Sequence, residues 1–386
     1  MTEFDLARMH IEVVTDTYSP DVNGVARTLR NLCEGMRGHG HRVEVIRSGK
    51  AHGPHETGVP GWSVPWYREV RMGWPRYRWF LRRWSAAAPD AIYVSVETAL
   101  GYSAAAAARK LGIPVVAGFH TNFREYFHNY GFGWLGDFLF RYQRWFHGRT
   151  AMTLVPSPVS RQKLLREGFQ RVEILGRGVD AELFSPLKRD DSLRASWGAG
   201  PDAPVILVGG RISSEKNIGL AIRAFRRIKE LRPDAVCVLV GDGPARAKLE
   251  HDNPDVVFTG YHAGEELAHH YASTDILLFP SETETFGNVL LEAMACGLAI
   301  LAYDDAAAAW HGVDGKNLLK VPKGDEAAFL EAAVRLPDPV LRRHLADNAV
   351  RTAGGLSWES VVGQWEHFLG LAAKKRFLPP RPEVAG

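Results

Sequence analysis

Cysteine is scarce in this chain. Cys33, Cys237 and Cys296 lie far apart and no CxxC pair occurs. That excludes a disulfide framework and a cysteine-rich zinc site, and points to free thiols in a reducing cytosol. No stretch approaches the roughly 18 apolar residues that a bilayer span requires. The first residues, Met1-Thr2-Glu3-Phe4-Asp5, are acidic and run into an apolar strand, so they are not expected to act as a signal peptide. A large excess of one charge is also missing, the formal net charge being +3. The charge is unevenly spread, however. Residues 1–185 carry 24 Lys+Arg and 17 Asp+Glu, and the remainder carries 23 and 27. The two halves are therefore expected to meet unlike partners.

What is present is a long alternation of strands and helices. A chain of 386 residues exceeds one ordinary core, so two domains are expected. In the first half, apolar strands read at His10–Thr15, Arg42–Ile46, Ala91–Ser95, Pro114–Gly118 and Met152–Pro156, with helical stretches between them. A second series reads at Pro204–Gly209, Ala235–Val240, Val256–Gly260, Asp275–Phe279 and Ala299–Ala302. Unbroken apolar strands separated by helices predict parallel, doubly wound sheets. The polar, turn-rich segment Ser185-Pro186-Leu187-Lys188-Arg189-Asp190-Asp191 is the expected linker, giving domains at 1–185 and 186–357.

The most informative stretch is Ser281-Glu282-Thr283-Glu284-Thr285-Phe286-Gly287-Asn288-Val289-Leu290-Leu291-Glu292-Ala293-Met294-Ala295. It reads as a loop leaving a buried strand and entering a helix. The start of such a helix offers unpaired N–H groups and a partial positive charge to an anion. Glu284 and Glu292 bracket that point. Eight residues at a helical rise of ~1.5 Å separate them by at most ~12 Å. A second loop, Gly209-Gly210-Arg211-Ile212-Ser213-Ser214-Glu215-Lys216-Asn217, follows the first strand of the second series, where ligands gather in open α/β sheets. Arg211 offers paired hydrogen bonds and Lys216 a point charge, both suited to phosphate.

These two loops resemble the Glu-x7-Glu and G-x-x-R-x4-K motifs of retaining glycosyltransferase family 4, and the resemblance covers nearly the whole chain. It implies the α/β GT-B fold, two Rossmann-like domains facing across a cleft, with a terminal helix at 358–378 crossing back onto the first. It also implies roles for residues. Glu284 would hold the donor sugar, Glu292 the ribose hydroxyls, and Arg211 and Lys216 the diphosphate leaving group. Gly210, Gly241, Tyr261, Phe286, Gly287, Asn288 and Val289 would complete the donor site. Gly24, in Asn23-Gly24-Val25, would meet the donor from the first domain. The family often carries Gly-Gly there, and the variant resembles bacterial α-mannosyltransferase-like members. His120, in Phe119-His120-Thr121-Asn122-Phe123, matches the active-site histidine of the family. No Asp-x-Asp lies near the expected donor site. With Arg211 and Lys216 in place of a metal, no metal and no cofactor are expected.

Two segments point to the acceptor. Residues 66–84 hold six arginines, one acid and seven aromatics. Residues 123–149 are likewise aromatic-rich. Such mixtures suit a membrane interface, while single-stranded nucleic acid is a weaker reading and plain packing a third. The expectation is a retaining hexosyltransferase on the inner face of the cell membrane. It would move mannose from GDP-mannose to a lipid or glycolipid, with no nucleic acid partner. A UDP-sugar-dependent lipid glycosyltransferase, of glucosyl or sulfoquinovosyl type, and a non-hydrolysing sugar-nucleotide epimerase are the alternatives.

Overall fold

The computed structural model describes residues 8–21, 23–64, 67–120 and 133–374, the side chains of 64–70 and 133–135 excepted. In chain order the first elements are β1 (His10–Thr15), α1 (Gly24–Gly38), β2 (Arg42–Ser48), β3 (Glu56–Val59), β4 (Gly61–Val64) and β5 (Tyr67–Gly73). Next come α2 (Tyr77–Ala86), β6 (Ala91–Val94), α3 (Ala99–Leu111), β7 (Val115–Gly118), α4 (Gly133–His147), β8 (Met152–Val155), α5 (Pro158–Arg166) and β9 (Val172–Ile174). The second series is α6 (Asp191–Ser196), β10 (Val205–Gly209), α7 (Ile218–Leu231), β11 (Val236–Val240), α8 (Arg246–Asp252), β12 (Val256–Gly260), α9 (Gly264–Ala272) and β13 (Ile276–Phe279). It closes with α10 (Asn288–Ala295), β14 (Ala299–Tyr303), α11 (Ala306–His311), β15 (Leu319–Val321), α12 (Glu326–Ala333), α13 (Pro339–Gly354) and α14 (Trp358–Lys374).

The chain divides into two compact units. One takes the chain up to Gly176 together with the part from Trp358 onward; the other is Arg177–Ser357. The polar segment 185–191 lies inside the second unit, where Ser185 caps a short 3-10 turn, Pro186–Lys188, and Asp190 caps α6.

In the first unit, strands lie in the order β3-β2-β1-β6-β7-β8-β9, all parallel. β1 follows from its sequence: five of its six residues are buried, as expected of a strand covered on both faces. α1 is set by its ends. The Asn23 side chain accepts from Ala26 N–H at 2.9 Å, and left-handed Gly40 follows the helix. Its apolar stripe, Leu29, Leu32, Cys33 and Met36, meets Val361, Val362, Trp365 and Leu369 of α14 in one core. The terminal helix thus belongs to the first unit. Trp365 is fully buried and stands edge-on to Tyr93 at 5.2 Å.

The second unit holds a parallel sheet in the order β12-β11-β10-β13-β14-β15. Its two faces carry separate cores. Leu207, Val238, Leu277 and Ile300 face one way with Leu290 and Met294 of α10; Ile206, Cys237, Ile276 and Leu301 face the other with Phe225 of α7. Strand order reverses between β1 and β6 in the first sheet and between β10 and β13 in the second. The carboxyl ends of those strand pairs are where open α/β sheets bind ligands.

The segment 66–84 divides its aromatics. Phe80 and Trp84 of α2 are buried, and Trp84 Nε1 donates to Glu12 Oε2 at 2.6 Å, whereas Trp74 and Tyr77 are exposed. On α4, Phe140 and Phe146 point into the core while Phe138 and Trp145 are exposed. Residues 123–132, with Thr121 and Asn122, lie outside the described residues.

Candidate active site

In the second unit, the loop after β10 and the loop after β13 leave adjacent strands at the switch point. Three contacts join them. Glu282 N–H donates to Glu215 O at 3.0 Å, and Asn217 Nδ2 donates to Glu282 Oε1 at 3.2 Å. The third is an ion pair between Lys216 Nζ and Glu284 Oε1, both side chains being mostly shielded from water. Arg211 is half-buried in the first of these loops. The sequence motifs are thus one cluster in space, with Lys216 held against Glu284 across 68 residues of chain.

The backbone around this cluster is closely packed. A Cβ on Gly241 would fall 1.8 Å from Gly210 O, so only glycine lets the turn after β11 lie against the turn after β10. Gly210 N–H donates to Val240 O at 3.0 Å, and Gly241 N–H to Gly260 O at 2.8 Å, which ties the ends of β10, β11 and β12 together. Val289 reaches back to the end of β10: ideal Cβ atoms on Gly209 and Gly210 would lie 3.4 and 3.6 Å from its methyls.

Gly287 precedes α10 in the left-handed region, φ 94°, and no side chain caps the helix. Asn288 and Val289 therefore present first-turn N–H groups that no capping side chain takes, at the edge where Lys216 and Arg211 stand. Glu292 is the fifth residue of α10 and is buried. Phe286 is buried edge-on to the stacked rings of Trp310 and His311, with the Arg177 guanidinium 6.0 Å from its ring centre. Burial alone pushes the His311 imidazole down to about 4, so it packs as a neutral ring. Tyr261, after β12, is exposed. The arrangement offers two cations and a helix start to an anion, with one carboxylate beside it and one buried further along α10.

The first unit has its own switch point, between β1 and β6. Gly24 is the exposed first residue of α1. His120, after β7, is 9% exposed, and its Nε2 lies 3.0 Å from Tyr93 Oη. Residues missed in the sequence join this edge. Asp16 follows β1, is buried, and accepts from Gly73 N–H at 2.8 Å. Burial pushes its carboxyl up to about 6 against hydrogen bonds from Thr98, Gly73 and Ser48. Buried Glu97, after β6, binds His147 Nε2 at 2.8 Å and accepts from Gln143 at 3.2 Å; His147 Nδ1 meets Thr153 at 3.0 Å. The one signal available was position: Asp16 directly follows an apolar strand and Glu97 lies three residues beyond the end of another.

Two parallel Rossmann-like sheets with loops of this kind at a switch point define an α/β protein of the GT-B class. The comparisons with known proteins agree. A profile of glycosyltransferase family 4 matches residues 22–183, and one of the glycosyl transferases group 1 matches 203–338. A GDP-mannose-dependent alpha-mannosyltransferase of Mycobacterium tuberculosis (strain CDC 1551) is 32% identical, over 94% of this chain and 97% of that protein. An alpha-monoglucosyldiacylglycerol synthase of Streptococcus pneumoniae is 30% identical, over 76% and 71%. The Anabaena protein HepE, solved in complex with UDP-glucose, superposes with a TM-score of 0.75 at 19% identity, over 94% of this chain and 99% of that one. The chain belongs to glycosyltransferase family 4.

Proposed function

We propose that the chain transfers mannose from GDP-mannose to a membrane lipid or glycolipid acceptor, with retention of anomeric configuration and without a metal. The observation that carries this reading is the near end-to-end similarity to a GDP-mannose-dependent alpha-mannosyltransferase. In the proposed chemistry the diphosphate lies on the start of α10, and Arg211 and Lys216 neutralise the charge that develops as the sugar–phosphate bond breaks. Glu284 hydrogen-bonds the donor sugar and Glu292 the ribose. Gly210, Gly241, Tyr261, Phe286, Gly287, Asn288 and Val289 are assigned to the donor, and Gly24 and His120 to the same reaction on the family pattern. The acceptor hydroxyl attacks from the leaving-group side and gives its proton to the departing phosphate, so catalysis rests on positioning and electrostatics.

A peripheral membrane role, on the inner face of the cell membrane, accompanies this reading. No helix among the described residues is long and apolar enough to cross a membrane. Exposed Phe138 and Trp145 stand seven residues apart on α4, beside exposed Arg141, Arg144 and Arg149. Rings flanked by guanidinium groups are the composition of an interfacial helix. The similarity to a diacylglycerol glycosyltransferase supports a lipid acceptor, and keeps a UDP sugar as the second donor reading.

The test offers equimolar GDP-mannose and UDP-glucose with vesicles containing diacylglycerol or a glycosyl-diacylglycerol, followed by product analysis. A mannosylated lipid with an α-linkage supports the proposal. A glucosylated lipid moves the donor to the UDP-sugar reading. A β-linked product overturns retention.

A further inference from the structure

The edge of the first sheet opposite the switch point carries a pocket of about 560 Å³, and its wall is basic. Arg8, His10, Arg37, Arg42 and His55 line it, with Asp90 as the one carboxylate in the wall among the described residues. These residues gather because the starts of β1 and β2, the last turn of α1 and the residue before β6 meet at the amino edge. The reaction edge lies at the far end of the strands, roughly 20 Å away at ~3.3 Å per residue.

Most acids nearby are already engaged. Asp90 Oδ2 accepts from His10 N–H at 2.7 Å. Glu12 is held by Arg83 at 2.9 Å and by Trp84 at 2.6 Å. Glu44 lies 3.4 Å from Arg42 and 3.7 Å from His55. Cationic capacity is left over. Arg8 has no hydrogen bond or ion pair among the described residues. His10 Nε2 is buried without a hydrogen-bond partner and burial pushes the ring's pKa down, so the arginines and not His10 carry the charge. Arg37 is anchored, with Nε and Nη2 donating to Val43 O at 3.1 and 2.8 Å, so its charge is fixed in the wall.

From this we infer that the amino-edge pocket of the first unit binds a phosphate-bearing anion, separately from the donor site. Guanidinium groups pair with phosphate oxygens, and Arg8 and Arg42 present theirs at the exposed side of the pocket. His41 also lines the pocket, and its Nε2 bonds Glu366 of α14 at 3.0 Å, so an occupant would sit beside one of the polar contacts of the terminal helix.

Calorimetric titration with inorganic phosphate tests the site on three proteins: wild type, Arg8→Gln/Arg42→Gln and Lys216→Ala. Both arginines are exposed, so the double variant is expected to fold, and an unchanged melting temperature checks this. The expected result is that Lys216→Ala keeps a phosphate site and the double variant loses affinity at least tenfold, with donor turnover unchanged. Hydrogen exchange at residues 8–10 and 37–43 should slow with phosphate in wild type and in Lys216→Ala, and not in the double variant. Competition by phosphatidylglycerol vesicles would name a lipid headgroup as the source, and its absence a soluble phosphate. Phosphate binding lost in Lys216→Ala and intact in the double variant would overturn the inference, as would no binding at tens of millimolar.

Discussion

Lys216 and Glu284 form an ion pair at the switch point of the second sheet. Each holds the charge that the other would otherwise leave exposed to solvent or to its neighbours. In the proposed reaction this pair separates: Lys216 turns to the diphosphate and Glu284 to the sugar. The two residues should then fail differently. Glu284→Ala is expected to lower transfer by roughly 10²–10³-fold with GDP affinity close to wild type. Lys216→Ala should weaken GDP binding by about 1.5–3 kcal/mol, the scale of a hydrogen bond to a charged group. Steady-state nucleotide release and calorimetry with GDP separate the cases. Equal loss of GDP affinity in both variants would contradict the division of roles.

Asp16 should make stability fall as pH rises. Its folded pKa, about 6, lies above the ordinary 3.8, so the folded chain holds the proton more tightly. That contribution is fully present below 3.8 and is lost as pH rises through about 6. Asp16→Asn keeps an acceptor for Gly73 N–H and removes the buried charge. It is expected to stabilise the protein at pH 7.5 by ~1–3 kcal/mol and to flatten the slope between pH 4 and 6. Urea melts at pH 5 and 7.5 provide the check, and a variant with the wild-type slope would contradict it.

The end of α1 and the terminal helix share a second pH-dependent contact. His39 meets Glu366 at 2.8 Å and Glu359 at 2.9 Å. Hydrogen bonds to Glu366 and then Glu359 raise its pKa, against slight desolvation. Stability from His39 is therefore complete below 6.5 and lost as pH rises through a higher folded value. Burial pushes Glu366 up, but His39 and His41 together hold it below its ordinary 4.5, so its share is lost only in acid. Protection of the α14 amides, with exchange rates corrected for base catalysis, should be weaker at pH 8.5 than at pH 6. In His39→Gln the difference should shrink; a wild-type difference in that variant would assign the effect elsewhere.

Trp365 is the largest fully buried side chain that α14 brings to the first unit. Trp365→Ala is expected to cost ~3–5 kcal/mol, the range for emptying an aromatic site in a core. A denaturant melt followed by amide exchange in α1 and α14 measures it. A loss below ~1 kcal/mol would mean that α14 is held mainly by the His39–Glu366 contact.

Much of this was legible in the sequence because parallel strands announce themselves. β10 and β13 are unbroken apolar runs, and each is followed by the polar loop whose chemistry the motifs carry. Other features had no such signal. The hairpin of β4 and β5 lies in a segment rich in arginine and aromatics, whose composition reads as a surface while Phe80 and Trp84, just beyond it, pack inward. Glu12 sits within an apolar strand and is buried only because Arg83 and Trp84, more than 70 residues away, satisfy it. The change of unit at Gly176–Arg177 is unmarked by any polar run, since the backbone there continues directly into the second unit. The apolar spacing of Val361, Val362, Trp365 and Leu369 marks an amphipathic helix, but which unit it joins is decided by the shape of the α1 stripe.

The most direct measurement is nucleotide release from GDP-mannose and, separately, from UDP-glucose, with and without diacylglycerol- or glycolipid-bearing vesicles. The expected result is vesicle-dependent release of GDP from GDP-mannose, lowered roughly 10²–10³-fold in Glu284→Ala. Vesicle-independent rates, or release from UDP-glucose alone, would contradict a mannosyltransferase with a membrane acceptor.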